Sequence, residues 1–314
     1  MAQQARSLRS HAFLPCRLSR EGLEMKGTGQ ALSHGAISIL NAFPTGKGGA
    51  LGVDLWTLAK VSLREGPGQI SGFISSDPEE SNKLAVTVVQ KVLEHYGYER
   101  KLQGEVITSS NIPAAVGLKS SSAAANAVAL ATVSALDEER DDDTLVAIGV
   151  EASIESGVSL TGAYDDSFAS YHGGAVLTNN DHRKVEKILK IPNDFKVLIL
   201  VPPRKTRTGQ LDRTKFAPLR RISELAYSEA SNGHIWDALT LNGLALSSIL
   251  GEDPRPALSA IEAGAFGAGL SGKGPAVAAV VDENRLKPVR QVFEKFDGRI
   301  IEANPNFTTA VIET

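Results

Sequence analysis

A lysine and three serines stand together where an alanine-rich helix is predicted to begin. The segment NIPAAVGLKSSSAAANAVAL, residues 111–130, places Gly117 and Lys119 directly ahead of the serines at 120–122. The first turn of a helix carries free backbone N–H groups and the positive end of the helix dipole, so it binds anions. A lysine is unfavourable there unless an anionic ligand is present. We therefore expect a phosphate site at residues 117–122, with a plain serine cap as the alternative.

Two adjacent aspartates are the second candidate for chemistry. Asp165 and Asp166 lie in EASIESGVSLTGAYDDSFASYHGG, residues 151–174, among apolar and small neighbours. A carboxylate that enters an apolar site can act as a general base or a metal ligand. Adjacent acids are more often a solvated helix cap, so both readings stay open. Glu151 and Glu155 precede the pair, one helical turn apart on one face.

Two further glycine-rich loops each carry a lysine. NAFPTGKGGALGVD, residues 41–54, contains Lys47 and imitates a P-loop, but it lacks the first glycine and the final Ser or Thr, and it runs into a strand. GAGLSGKGPAVAAVV, residues 267–281, surrounds Lys273 with glycines. Either lysine can reach a phosphate from such a loop, and either loop can instead be an ordinary turn.

Alternating strands and helices must position these loops. Residues 53–63 alternate apolar and polar side chains and predict a strand, and the same reasoning gives further elements along the chain. The predicted strands are 104–110, 196–201, 276–281 and two short final ones. The predicted helices are 81–97, one that begins at 120, 143–156, 215–231, 235–250 and 286–296. Such alternation is typical of the α/β or α+β class. The least regular junction, at 181–195, is the expected domain boundary.

The bulk composition excludes several classes of function. The 314 residues carry 33 Lys and Arg against 36 Asp and Glu, a formal net charge of -3, which gives no support to a nucleic-acid or membrane-surface role. The single cysteine, Cys16, excludes an internal disulfide framework. We expect a soluble cytoplasmic protein with small-molecule partners. The Arg-rich residues 1–24 are read as an over-extended start before Met25, or as a targeting segment.

These four segments, in this order, resemble the GHMP kinase superfamily. Its central motif is a proline, a short spacer and Gly-Leu-Gly-Ser-Ser-Ala, which is matched by Pro113, Gly117, Leu118, Ser120, Ser121 and Ala123. Lys119 replaces the usual small residue. That departure, together with TGKGGALGVDL and TGAYDDSFASYHGG, is similar to the archaeal-type shikimate kinase branch. The resemblance runs from about Gly27 to the C-terminus.

The resemblance implies a two-domain fold of the α/β (α+β) class. It implies a ribosomal-protein-S5-like N-terminal domain over residues 25–190 and a ferredoxin-like C-terminal domain over 191–314, preceded by the extension 1–24. The active site is expected between the two domains. ATP and Mg²⁺ are the implied cofactors, and a monomer or homodimer is expected.

The resemblance also implies roles for particular residues. Asp166 is expected to be the catalytic base, with Asp165 beside it, and Lys47 with Lys119 to offset charge on the transferred group. Magnesium is expected on Ser121 with Glu155, or with Glu151. The residues expected at ATP are Pro113, Ala114, Ala115, Val116, Gly117, Leu118, Lys119, Ser120, Ser121, Ser122 and Ala123. Those expected over the acceptor and phosphate side are Gly269, Ser271, Gly272, Lys273 and Gly274.

The acceptor implied by the branch is the 3-hydroxyl of shikimate, which would place the protein in chorismate and aromatic amino acid biosynthesis. Shikimate carries a carboxylate, and Arg204 and Arg207 follow a strand that should end near the cleft; a solvated loop is the alternative. Homoserine kinase, mevalonate kinase and a non-catalytic sensor remain alternative functions. The presence of Asp166, Glu155 and Lys47 favours an enzyme over a sensor.

Overall fold

The structure is a computed structural model that describes residues 25–159, 162–205 and 213–313. Its described part contains two β-sheets. Their strands, in chain order, are β1 (Met25–Leu40), β2 (Lys47–Glu65), β3 (Ile70–Ile74), β4 (Leu102–Ser110), β5 (Ala175–Asn179), β6 (Lys184–Leu189), β7 (Lys196–Val201), β8 (Gly267–Leu270), β9 (Val277–Val281), β10 (Arg299–Ala303) and β11 (Val311–Ile312).

Helices cover both sheets. They are α1 (Lys83–His95), α2 (Ser120–Leu136), α3 (Asp142–Glu155), α4 (Tyr164–His172), α5 (Arg220–Ser231), α6 (Ile235–Leu250), α7 (Arg255–Glu262) and α8 (Glu283–Phe293), with a 3₁₀ segment at Arg213–Leu219. None of the helices in the described ranges is long and apolar enough to span a bilayer.

The two sheets correspond to two units that share a core. The first has the order β11-β1-β2-β4-β3, with β5 paired to β2 and to β6, and the second has the order β10-β7-β9-β8. One hydrophobic cluster joins them, because Ile37 and Leu51 of the first sheet pack with Val197 and Ala278 of the second. The predicted mixed α/β class and two-domain architecture are confirmed.

The predicted boundary at 190/191 falls between β6 and β7, but the last strand returns to the first sheet. Ala31 of β1 pairs with Ile312 of β11, in antiparallel register. Asn306, which lies just before β11, also contacts the first unit. Its carbonyl accepts from the Gly174 N–H at 2.7 Å, and its own N–H donates to the carbonyl of Gly52 at 2.9 Å. The chain therefore crosses twice between the units. The predicted extension 1–24 lies outside the described residues.

Helix α2 is the central helix of the first unit, and its N-terminus faces the space between the units. It packs on β1 and β2 and contacts α1, α3 and α4, so most of its side chains are buried. Its alanines allow a close approach to β1: a Cβ on Gly29 would lie 2.1 Å from the carbonyl oxygen of Ala131. Asn126 in its second turn donates to the carbonyl of Ser167 at 2.9 Å, which ties α2 to α4.

Helix α4 is held by a buried hydrogen-bond network at its first turn. Asn180 Nδ2 donates to Asp165 Oδ1 at 2.7 Å, and the Asp165 N–H donates back to Asn180 Oδ1 at 3.3 Å. Thr178 Oγ1 donates to the same amide oxygen at 2.6 Å. Because Asp165 is almost fully buried, this network fixes the start of α4 against β5. The neighbouring Asp166 then points in a different direction, as successive helical residues do.

Candidate active site

A cavity of about 900 Å³ lies between the two units. A volume of this size is enough for a cofactor-sized ligand. The N-terminus of α2 and the loop before it form one wall, and the loop after β7 and the turn at 272–274 form the other. The charged residues on its wall are Asp77, Glu80, Lys119, Asp166, Arg204, Lys205, Lys273 and Arg299.

The predicted nucleotide loop forms much of this wall. Residues 113–117 and 119–122 all line the cavity, and so do Gly272, Lys273 and Gly274 of the third glycine-rich segment. The buried Leu118 and Ala123 anchor the loop and the helix from behind. The structure therefore brings the first and third glycine-rich segments together, although residues 267–270 of the third form the strand β8 rather than a loop.

The backbone of this loop is shaped for close approach. Gly117 has φ +91°, and a Cβ there would lie 2.0 Å from the carbonyl oxygen of Ser271. Lys119 occupies the N-cap position of α2 with a left-handed backbone, φ 63° and ψ 29°, and makes no side-chain cap. A left-handed conformation is costly for a lysine and is kept only where the surroundings hold it. An ammonium group is only a donor, so Lys119 cannot cap the first-turn N–H groups of α2.

That side chain meets the catalytic candidate from α4. Lys119 Nζ lies 3.0 Å from Asp166 Oδ1, and the two side chains are only 7% and 14% exposed. Asp166 Oδ1 receives no well-aligned hydrogen bond within the described part of the chain. The contact is therefore mainly electrostatic, and the carboxylate keeps acceptor capacity for a ligand hydroxyl.

Burial and charge shift the pKa values of the groups around this pair. Burial raises the pKa of Asp165 to about 7, the Asp166 carboxylate adds to the shift, and Lys119 opposes it. Burial lowers the pKa of Lys273 to about 8, with the Lys119 charge acting in the same direction and Asp166 opposing. Two lysines thus lie near one carboxylate in a partly desolvated site. Asp165 is not on the cavity wall, so its contacts position α4.

Lys47 lies elsewhere in this structure. Its Nζ is 3.6 Å from Glu186 Oε2 and 4.6 Å from the ring centroid of Tyr227, and its side chain is 42% exposed. Lys47 is absent from the cavity wall. The structure does not bring it to Asp166, and Lys119 occupies the position beside the carboxylate instead.

Glu151 and Glu155 also lie outside the cavity. Glu155 Oε2 is 2.8 Å from Lys91 Nζ, and Glu151 Oε1 is 2.9 Å from Arg183 Nη1, both on half-exposed or exposed side chains. Within the described ranges, no three His, Cys, Asp or Glu side chains group in a way that could hold a metal ion. Ser121, whose hydroxyl oxygen is the predicted metal ligand, does line the cavity. A magnesium ion bound mainly through nucleotide phosphates needs few protein ligands, so this donor set fits it.

Two cations after β7, Arg204 and Lys205, line the cavity and pair with acidic side chains. Arg204 Nη1 donates to Glu252 Oε1 at 2.8 Å, and Glu252 is nearly buried. Lys205 Nζ lies 2.8 Å from Asp77 Oδ2 of the first unit. Arg299, which sequence reasoning missed, lines the same wall from β10. Arg207 lies outside the described residues.

Comparisons with known proteins agree with this geometry. The model of the GHMP kinases N terminal domain matches residues 83–174. A Methanosarcina acetivorans protein named shikimate kinase is 42% identical over 285 residues, covering 90% of this chain and 96% of that protein. A Pyrococcus furiosus protein of the same name is 41% identical over 279 residues, covering 88% and 98%.

Solved structures give the same fold at low identity. The homoserine kinase from Cytophaga hutchinsonii superposes with a TM-score of 0.72 at 17% identity, covering 95% of this chain and 100% of that one. The Methanococcus jannaschii mevalonate kinase has a TM-score of 0.72 at 18% identity, covering 92% and 100%.

The fold, the family match and the relatives together thus define a two-domain kinase of the mixed α/β class. The chain belongs to the GHMP kinase family, and it is an ATP-dependent kinase.

Proposed function

We propose that this protein is a shikimate kinase, which transfers the γ-phosphoryl group of ATP to the 3-hydroxyl of shikimate. The observation that carries the chemistry is the ion pair between Lys119 and Asp166 on the wall of a cavity that adjoins a helix N-terminus. The choice of acceptor is supported by relatives of that name, which are about 40% identical over nearly their whole length. The reaction would take place in the cytoplasm, between small soluble molecules.

In this proposal the N-terminus of α2 binds the phosphates. Its free N–H groups and its dipole favour negative charge at residues 120–122. Ser121, which is exposed to the cavity, is the proposed hydroxyl ligand of Mg²⁺. When bound there, Mg²⁺ would supply positive charge that offsets the negative charge of the phosphates.

Asp166 acts as the general base. Phosphoryl transfer needs little covalent work from the protein, so positioning and charge neutralisation dominate. The carboxylate accepts the proton of the attacking hydroxyl, and Lys119 and Lys273 offset the charge that develops on the transferred group. The catalytic role of Lys47 and the metal-binding roles of Glu151 and Glu155 stay predictions from the sequence. In this structure their side chains form ion pairs outside the cavity.

The acceptor carboxylate requires a cation on the same cavity wall. Arg299 lines that wall and can make a bidentate contact with a carboxylate. Arg204 lines it too, but both of its terminal nitrogens already donate to Glu252, so it can offer an acceptor carboxylate only its remaining N–H groups. Arg204 already pairs with Glu252, which orients its guanidinium. We propose these two arginines for acceptor recognition.

The deciding experiment measures ADP release from ATP and Mg²⁺ with shikimate, homoserine and mevalonate in parallel. We expect turnover with shikimate alone, together with a product that carries phosphate on the 3-hydroxyl by ³¹P and ¹H NMR. Turnover of homoserine or mevalonate in place of shikimate would overturn the acceptor. ATP binding without turnover of any of the three would favour a sensor.

A further inference from the structure

Ser38 lies in β1 and connects three segments that meet at the cavity. Lys119 Nζ donates to its Oγ at 2.7 Å, and the N–H of Gly272 donates to the same oxygen at 3.0 Å. The N–H of Ser38 donates to Ser271 Oγ at 3.1 Å, and Ser271 Oγ donates to the carbonyl of Gly117 at 2.7 Å. Ser38 is 3% exposed and does not line the cavity.

The two donors to Ser38 Oγ are functionally different. One is the ammonium group that faces Asp166, and the other belongs to the backbone of the third glycine-rich segment. A hydroxyl oxygen has two acceptor lone pairs, so these two donors fill its acceptor capacity. Lys119 and the turn at 271–274 are therefore both hydrogen-bonded to one buried oxygen atom of β1.

The spacing around this point leaves little room for independent movement. A Cβ on Gly272 would lie 3.0 Å from Lys119 Nζ. Lys119 already has a left-handed backbone, so its side chain approaches from a constrained direction. A hydrogen bond from a charged donor to a buried acceptor is stronger than a neutral one. Loss of the hydroxyl would release the ammonium group from its position beside Asp166.

We propose that Ser38 is a positioning residue for phosphoryl transfer. It holds the Lys119 ammonium group against Asp166 and ties this ion pair to the turn at 271–274, so that a ligand contacting the turn also orders the pair. Ser38 acts through Lys119 and does not touch the substrate. The kinetic part of this inference rests on the proposed function, whereas the contact itself does not.

The kinetic test compares Ser38→Ala with a matched buried serine on the same strand. Ser33 is fully buried, and its Oγ donates to the carbonyl of Ser170 at 2.9 Å. We expect Ser38→Ala to lower kcat about 10- to 100-fold, the range expected for a lost hydrogen bond to a charged group, with KM for ATP changed less than about threefold. Ser33→Ala should keep kcat within about twofold. Ser38→Thr, which keeps the hydroxyl, should recover most of the loss.

A double-mutant cycle separates positioning from general damage. If Ser38 acts through Lys119, Ser38→Ala should reduce kcat by less than about twofold in a Lys119→Met background. Full additivity of the two losses, or an equal loss in Ser33→Ala, would overturn the proposal.

A second readout is independent of the acceptor. In ¹H–¹⁵N spectra of the lysine ammonium groups, the Lys119 signal is assigned by its absence in Lys119→Met. We expect this signal to be protected from solvent exchange in the wild type and in Ser33→Ala, and to broaden or vanish in Ser38→Ala. An unchanged signal in Ser38→Ala would refute the inference. A wild type that binds ATP but does not phosphorylate shikimate would refute the proposed function, and the spectra would still decide about Ser38.

Discussion

Lys119 and Asp166 meet from the N-terminal ends of two different helices. Lys119 is the N-cap of α2, Asp166 lies in the first turn of α4, and 3.0 Å separates their charged atoms. The positive ends of two helix dipoles therefore converge on one part of the cavity. An anionic ligand would be favoured there by backbone and side chains together, which is the environment that a triphosphate needs.

Replacing Asp166, the proposed base, should remove turnover while leaving nucleotide binding. Because Asp166→Asn keeps the size of the side chain but cannot accept a proton, we expect kcat to fall by about 10³-fold, with the Kd for ATP changed only slightly. Steady-state assays and calorimetric titration measure the two quantities. Asp237→Asn is the matched control, since Asp237 is an exposed acid in the first turn of α6. A loss below tenfold in Asp166→Asn would contradict the role of Asp166 as base.

Comparing two lysine variants decides which cation assists the transfer. Lys119 is buried beside Asp166, whereas Lys47 pairs with Glu186 outside the cavity. We expect Lys119→Met to lower kcat about 100-fold and Lys47→Met to lower it far less. The measurement is the initial rate of ADP release at saturating substrates. A larger loss in Lys47→Met than in Lys119→Met would restore the sequence-based prediction for Lys47.

The charge of Lys273 should set an alkaline limit on activity. Its pKa is lowered to about 8, chiefly by burial, so the free enzyme loses this positive charge as the pH rises through about 8. We expect kcat/KM for ATP to fall above that pH, because kcat/KM reports the free enzyme. In Lys273→Arg the charge persists, and the fall should move to higher pH. An unchanged profile in that variant would show that another group causes the limit.

Two glycine variants separate backbone strain from steric contact. Gly117 and Gly97 both have positive φ, but a Cβ on Gly117 meets the Ser271 carbonyl, whereas nothing lies within 4 Å of one on Gly97. We expect Gly97→Ala to reduce the free energy of unfolding by about 1 kcal/mol. Gly117→Ala should cost at least about 2 kcal/mol more and weaken ATP binding. Urea unfolding compares the two, and equal losses would contradict the close packing of the two glycine-rich segments.

Sequence reasoning located the parts of the site that depend on local structure. A helix start predicts a phosphate site at residues 117–122, and acids among apolar neighbours predict the pair Asp165 and Asp166, from which the family resemblance selects Asp166. Both features can be recognised within about ten residues of chain. Residues 117 and 119–122 line the cavity wall together with Asp166, whereas Asp165 does not.

The parts that sequence reasoning could not place depend on which way a side chain points. Lys47 is the first residue of β2, and its side chain contacts Glu186 of β6, the strand that pairs with β5. Glu155 ends α3, and its carboxylate contacts Lys91 of α1. Loop composition and spacing along one helix do not determine these contacts between elements.

Ser38 had no recognisable signal in the sequence. It lies in GAISIL, which resembles an ordinary core strand, and its partners Lys119 and Gly272 are 81 and 234 positions away along the chain. A buried serine of this kind can be found only when the fold shows what it contacts. The same is true of Asn180, whose contacts with Asp165 hold α4.

The return of the chain from the second sheet to the first has a consequence for biosynthesis. Helix α4 acquires part of its packing surface from residues that are translated after the second sheet, because Asn306 bonds to Gly52 and Gly174, and Ala310 donates to the carbonyl of Tyr171. Translation therefore supplies Asp166, the proposed base, long before it supplies the segment that completes its surroundings. A nascent chain stalled before residue 304 should be cleaved by protease within α4 more readily than the released protein. The ability to bind and phosphorylate a substrate would then arise only after residues 304–313 have left the ribosome.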